Sequence, residues 1–211
     1  MKVLAIGAHP DDVELFMAGT LALLKDKGWE VAIGVMAKGD KGSMELSRRD
    51  IAKVRHEEAK KGAELLGAEI YFMGQDDLQI DIDPKSRQVT TEVVRKARPD
   101  LVITHPPSDY MTDHEFTSRL VRDACFAASC PNFETDDPNP AEPTGGIPTV
   151  YYCSPPEGID LLGRPIEPHM VVDITTKIDI KRDMLACHAS QRDWLRAQHG
   201  VDQYLIEMEE W

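Results

Sequence analysis

Two kinds of apolar pattern alternate along this chain. Short continuous runs read as buried strands: residues 2–8 around Val3-Leu4-Ala5-Ile6, then 30–37, 69–72, 100–104, 149–153 and 170–174. Between them lie longer stretches with apolar positions at helical spacing: 13–28, 47–66, 88–97, 115–128 and 176–195. Ser47 is the expected N-cap of the second of these, with Asp50 three residues on as a capping-box variant and Gly67 as the stop. Gly28 is the expected glycine just past the first. Strands alternating with helices at this spacing imply βαβ units and a mostly parallel sheet with helices on both faces. The expected fold is α/β and Rossmann-like, with strand order 3-2-1-4-5 plus a further strand, since crossovers are right-handed.

No internal repeat or linker divides the 211 residues, so one domain is expected. Its long loops, 129–148 with five prolines and 154–168, are expected to shape a pocket.

Charge narrows the partners. Against 24 Lys and Arg stand 37 Asp and Glu, a formal net charge of −13. Nucleic acid is a poor partner, because phosphate binding needs a basic footprint, and so is an anionic membrane surface. No stretch reaches the roughly 20 apolar residues of a membrane span, and the apolar start is short for a signal peptide. Cys125, Cys130, Cys153 and Cys187 form no C-x-x-C pair and read as packed thiols. A cytoplasmic protein is expected.

The chemistry concentrates in two turns. Ala8-His9-Pro10-Asp11-Asp12-Val13-Glu14 lies between the first strand and the first helix. A polar stretch running from His105 to Asp113-His114 follows the fourth strand. In a 3-2-1-4-5 order these strands are neighbours at the topological switch point, where ligands bind. Topology thus brings His9, Asp11, Asp12, Asp113 and His114 together across about a hundred positions. Two imidazoles and a carboxylate with an open position make a catalytic zinc set, and iron or manganese also suit such donors. Zinc lowers the pKa of a bound water to about 7. Asp11 and Asp12 are adjacent and point apart, so one can ligate while the other faces that water. Either could instead simply cap the first helix. Asp113 is a candidate to orient a histidine ligand.

These residues carry a family resemblance. The first turn, followed by Gly19-Thr20, resembles the opening motif of the PIG-L/LmbE-like deacetylases. Arg55-His56-Glu57-Glu58-Ala59 with Glu64-Leu65-Leu66-Gly67 resembles that family's second motif. Asp109-Tyr110-Met111-Thr112-Asp113-His114 resembles its third, D-x-H-P-D-H. The resemblance implies a zinc-dependent enzyme that removes an N-acetyl group from an N-acetylglucosamine-type sugar or conjugate. It implies His9, Asp12 and His114 as zinc ligands and Asp11 as the base that activates the metal-bound water. It places Arg55 on the substrate side of the crevice, binding substrate or supporting the residues that do, Asp113 as a supporting or active-site carboxylate, and the chain in a homo-oligomer. The family also usually runs on beyond the point matching Trp211, so any substrate-binding residue supplied there falls outside these residues.

One departure bears on the chemistry. Met111 and Thr112 stand where the family has histidine and proline. That histidine is assigned to the oxyanion or the leaving amine, and a thioether serves neither. His105, His188 and Tyr110 are the candidates to stand in. The same residues also suit a metal hydrolase of another amide or ester, or a non-catalytic Rossmann-like protein holding a metal or a sugar phosphate. Against the last, no G-x-G-x-x-G follows the first strand and no P-loop is present.

Overall fold

The computed structural model describes residues 1–199 together with 205, 206 and 208. In chain order the elements are β1 (Lys2–Gly7), α1 (Asp12–Phe16), α2 (Ala18–Asp26), β2 (Glu30–Ala37), α3 (Arg48–Leu66), β3 (Glu69–Gln75), α4 (Pro84–Ala97), β4 (Leu101–Thr104), α5 (Thr112–Ala127), β5 (Thr149–Tyr152), α6 (Ile178–Ala186) and α7 (Ala189–His199). The strands form one all-parallel sheet in the order β3-β2-β1-β4-β5. β1 is its centre, with Ala5 opposite Ile33 on one side and Ile103 on the other.

Both faces of β1 are buried, as its continuous apolar run requires. Leu4 and Ile6 pack with Val94 and Leu120 of α4 and α5. Val3 and Ala5 alternate to the other face and pack with Leu21 of α2, Ala63 of α3 and Met184 of α6. Local signals set the helix ends. Ser47 Oγ accepts the Asp50 N–H at 3.2 Å, and Gly67 ends α3 in the left-handed conformation at φ 60°. Asp83 caps α4 by accepting the Ser86 N–H at 2.7 Å, with Pro84 at the first position, so α4 starts four residues before the expected 88.

Several expectations are corrected. The first helix is broken at Met17, at φ −128° and ψ −19°. The last is broken at Cys187-His188. The further strand expected at 170–174 does not form. Its β-branched composition suits a strand, but it pairs with nothing among the described residues. Met170 and Val171 are exposed, and Ile174 turns in against Gly19, where an added Cβ would lie 2.6 Å from its Cδ1. The loop 129–148 is also misplaced by the expectation that it shapes the pocket. It joins the C-terminal end of α5 to the start of a parallel strand, so it lies at the N-terminal edge of the sheet. There the Thr144 N–H donates to the Ala128 carbonyl, and Thr135 Oγ1 and the Ala141 N–H both donate to the Glu92 carboxylate of α4. The site lies at the opposite edge.

Candidate metal centre and active site

At the C-terminal edge of the sheet the turn after β1 meets the loop after β4. His9 and Asp12 come from the first, and His114 from the first turn of α5. One potential ligand atom from each lies within 4.8 Å of the others, and all three residues are buried. Asp12 is the hub. Its carboxylate accepts the His9 backbone N–H at 2.7 Å, with His9 Nδ1 3.5 Å from Oδ2 and His114 Nε2 3.5 Å from Oδ1. Asp11 does not cap α1 through its side chain, and the Asp12 carboxylate turns back to the His9 N–H instead.

Each histidine has a carboxylate on its far nitrogen. His9 Nε2 lies 3.0 Å from Asp113 Oδ2, and His114 Nδ1 lies 3.0 Å from Asp109 Oδ1. A proton on each of those nitrogens leaves His9 Nδ1 and His114 Nε2 with lone pairs facing Asp12. This is the support that metal-bound histidines ordinarily have. Asp113 Oδ2 also accepts the Leu78 N–H at 2.7 Å, so it is fixed from a second direction. Burial pulls the His9 pKa down, but hydrogen bonds to Asp113 and Asp12 outweigh it and raise it to about 10. Burial acts likewise on His114, and the Asp12 charge with the Asp109 hydrogen bond raises it to about 9. Burial alone would raise Asp12, yet His114 and His105 hold it well below the usual carboxylate range. Positive charge is therefore favoured at this point. Two nitrogens and a carboxylate around an open position fit zinc, and they also fit iron or manganese.

His105, Asp109 and His114 form a second group within ligand range. It is unsuited to a shared ion. The two imidazoles stack at 3.9 Å with 16° between planes, so their in-plane lone pairs do not converge. An ion midway would stand about 2 Å out of each ring plane, nearly a whole metal–nitrogen bond. His105 instead lies with Nε2 3.0 Å from Asp12 Oδ2.

Asp11 sits beside this group in a sparsely populated backbone conformation, φ 127° and ψ −25°. Such a conformation costs about 1–3 kcal/mol and persists only where its surroundings enforce it. Arg55 supplies that enforcement. One guanidinium nitrogen, Nη2, donates to the Pro10 carbonyl at 2.6 Å and to Asp11 Oδ2 at 2.8 Å. The structure thus places Arg55 behind the turn, buried at 4% exposure, rather than on the open side of the crevice.

Among the candidates to stand in for Met111, His105 and His188 are fully buried. His188 Nε2 lies 3.3 Å from Glu14 Oε1, beneath the turn. Tyr110 is 67% exposed, with its ring edge-on to His114 at 5.5 Å. It is the one of the three that is open to an incoming molecule. The Cys153 N–H, just past β5, donates to the Thr104 carbonyl at the end of β4 at 2.9 Å, so the segment 154–168 leaves from beside the site. A cavity of about 560 Å³ lies between α3 and the ends of β2 and β3, lined by Lys38, Lys53, His56 and Phe72. Of the residues that line it, Pro10 belongs to the turn after β1.

Residues 4–125 match the family described as PIG-L, GlcNAc-PI de-N-acetylase, across more than half of the chain. The chain belongs to the PIG-L family. It is 29% identical over 198 residues to the diacetylchitobiose deacetylase of Thermococcus kodakarensis, covering 90% of this chain and 70% of that protein. It is 26% identical over 198 residues to the 4-oxalmesaconate hydratase of Pseudomonas putida, covering 90% and 74%. The crystal structure of N,N′-diacetylchitobiose deacetylase from Pyrococcus horikoshii superposes with a TM-score of 0.76 at 29% identity, over 90% of this chain and 70% of that one. PIG-L relatives of this chain therefore include both deacetylases and a hydratase. Among the described residues no helix is long and apolar enough to cross a membrane.

Sequence reasoning gave no role to Asp109 or to the loop 38–43. Asp109 matches the first position of the third motif, but its five-residue separation from His114 follows no regular period that would pair them. The loop's part emerges only from what it packs against.

Proposed function

We propose that this PIG-L protein is a zinc-dependent hydrolase that removes the N-acetyl group from an N-acetylglucosamine-type sugar or conjugate. The observation that carries this is the convergence of His9, Asp12 and His114, each imidazole backed by its own carboxylate, with Asp11 held alongside. An ion in such a set supplies Lewis-acid polarisation of a carbonyl and a water that ionises near neutral pH. His9, Asp12 and His114 would hold that ion. Asp113 and Asp109 keep the two imidazoles in the tautomers that leave a lone pair toward it. Asp11 accepts the proton of the attacking water and returns it to the leaving amine. Met111 contributes no proton, and Tyr110 is the exposed donor nearest the site. We place the activity in a single domain, with residues 154–168 at the mouth of the site.

A second reading has its own support. The hydratase of Pseudomonas putida is similar over 90% of this chain, and Met111 removes the group that handles a leaving amine. The same base could then serve addition of water to a carbon–carbon double bond. The experiment is a two-armed assay on purified protein. Acetate release is followed from N-acetylglucosamine, N,N′-diacetylchitobiose and lipid- and thiol-linked conjugates, and hydration is followed on 4-oxalmesaconate. Acetate release without hydration is expected, and hydration alone would replace the first reading with the second.

A further inference from the structure

The loop 38–43 after β2 holds two glycines, and both lie against the guanidinium of Arg55. Gly39 has φ +72°, and a Cβ built on it would lie 2.6 Å from Arg55 Cδ and 2.8 Å from Nε. A Cβ on Gly42 would lie 3.0 Å from Arg55 Nη1 and 3.2 Å from Gln191 Oε1. Gly42 has no positive φ, so space is the only demand made on it. The loop itself is tied down. Asp77 accepts the Gly39 N–H at 2.7 Å and the Lys41 N–H at 3.2 Å. The Asp77 N–H donates to Asp40 Oδ1 at 2.9 Å, and Asp40 Oδ2 accepts from Arg48 Nε at 2.7 Å. On its other side the guanidinium holds the Pro10 carbonyl and Asp11 Oδ2.

A continuous chain of contacts therefore runs from a braced loop, through one buried arginine, to the carboxylate read above as the base. Arginine has many rotamers, and only a closely fitted wall restricts it to one. A base must be held to a fraction of an ångström, and a misplacement of about 1 Å costs roughly 100-fold in rate.

We infer that loop 38–43 is a positioning device for Asp11, in which Gly39 and Gly42 admit the Arg55 guanidinium in one orientation and Asp77 holds the loop against it. The inference rests on the reading of Asp11 as the base. Gly39, Gly42 and Asp77 act through Arg55 and touch no reacting atom.

The test is a double-substitution cycle in the full chain. Gly42→Ala is made alone and in an Arg55→Ala background, with melting temperature, zinc content, and kcat and KM for acetate release from N,N′-diacetylchitobiose as readouts. Gly42→Ala alone is expected to lower kcat roughly tenfold or more, with KM and zinc content within about twofold of the parent. It should lower the melting temperature by several degrees, and by less once the guanidinium is gone, when only the Gln191 contact remains. Asp77→Asn, which keeps its volume and loses an acceptor, should show the same kcat-only loss and carries the test if Gly42→Ala does not fold. Equal melting shifts in both backgrounds, or a loss confined to KM, would overturn the inference. A coupled melting cycle with no acetate release from any substrate would leave the clamp standing and defeat the deacetylase reading instead.

Discussion

The turn after β1 and the loop after β4 bring their histidines to the same carboxylate, Asp12, yet they are held in opposite ways. The second is largely self-supporting. Asp109 orients His114 from five residues away, the Met111 N–H donates to Asp109, and the Asp109 N–H donates to Glu115. The first borrows nearly everything. Its His9 is held by Asp113 of α5, its Asp12 by His105, and its strained Asp11 by Arg55 of α3. A short turn carrying His9, Asp11 and Asp12 has little room for its own support, so neighbouring elements provide it. The longer loop can spend its own residues. Damage to the first turn should therefore be achievable from afar, and damage to the second should stay local.

Asp12 is where the two meet, so its loss should be the largest effect. Asp12→Ala is expected to abolish zinc retention and to reduce acetate release more than about 1,000-fold, read by metal analysis and kinetics, because removing one first-sphere group leaves the others without a centre. Next comes Asp11→Asn, expected to keep its zinc and lose roughly 100–10,000-fold in kcat, the usual range for a general base. Full activity with zinc bound would show that Asp11 is not the base. Asp109→Ala and Asp113→Ala should each weaken zinc affinity by about 10–100-fold. Asp113→Ala should also release the Leu78 N–H, bonded at 2.7 Å, and Asp109→Ala only the longer bond from the Met111 N–H at 3.2 Å, so Asp113→Ala should lower the melting temperature more. Equal melting temperatures would erase the contrast between borrowed and local support.

Two further effects sharpen the same contrast. Met111→His, within the self-supporting loop, should raise kcat for deacetylation by roughly 100-fold, the lower end of what one transition-state donor contributes, with zinc affinity unchanged. The smallest effect concerns the bracing of the first turn. Burial alone would raise the Asp40 pKa, but the Asp77 N–H and Arg48 outweigh it and hold it below its ordinary 3.8. A carboxylate whose folded pKa is depressed contributes stability above its unfolded pKa and loses it as pH falls through the folded value. Asp40→Asn should therefore lower the melting temperature at pH 6 by a small margin, and the difference from the parent should shrink below pH 4.

What the sequence disclosed divides along the same line. His9, Asp11 and Asp12 are adjacent in one motif, and the β1–β4 neighbourhood that adds His114 follows from the handedness of crossovers. Those inferences need only local pattern and topology. Arg55 was legible as a candidate, but its partner is 44 residues away, and nothing in the helix pattern says that its guanidinium turns in toward Asp11. Gly39 and Gly42 read as ordinary loop glycines until Arg55 is seen behind them. The strand expected at 170–174 failed for a related reason. Its composition suits a sheet, but pairing depends on a partner that composition does not supply. His188, a candidate to replace the family histidine, proved to be buried on Glu14, because the break between α6 and α7 carries it inward.

Zinc content and acetate release measured on one preparation test the central claim most directly. The account predicts about one zinc per chain, with acetate release from N,N′-diacetylchitobiose that disappears on chelation and returns when zinc is restored. A protein that holds no zinc, or releases acetate equally well after chelation, would contradict it.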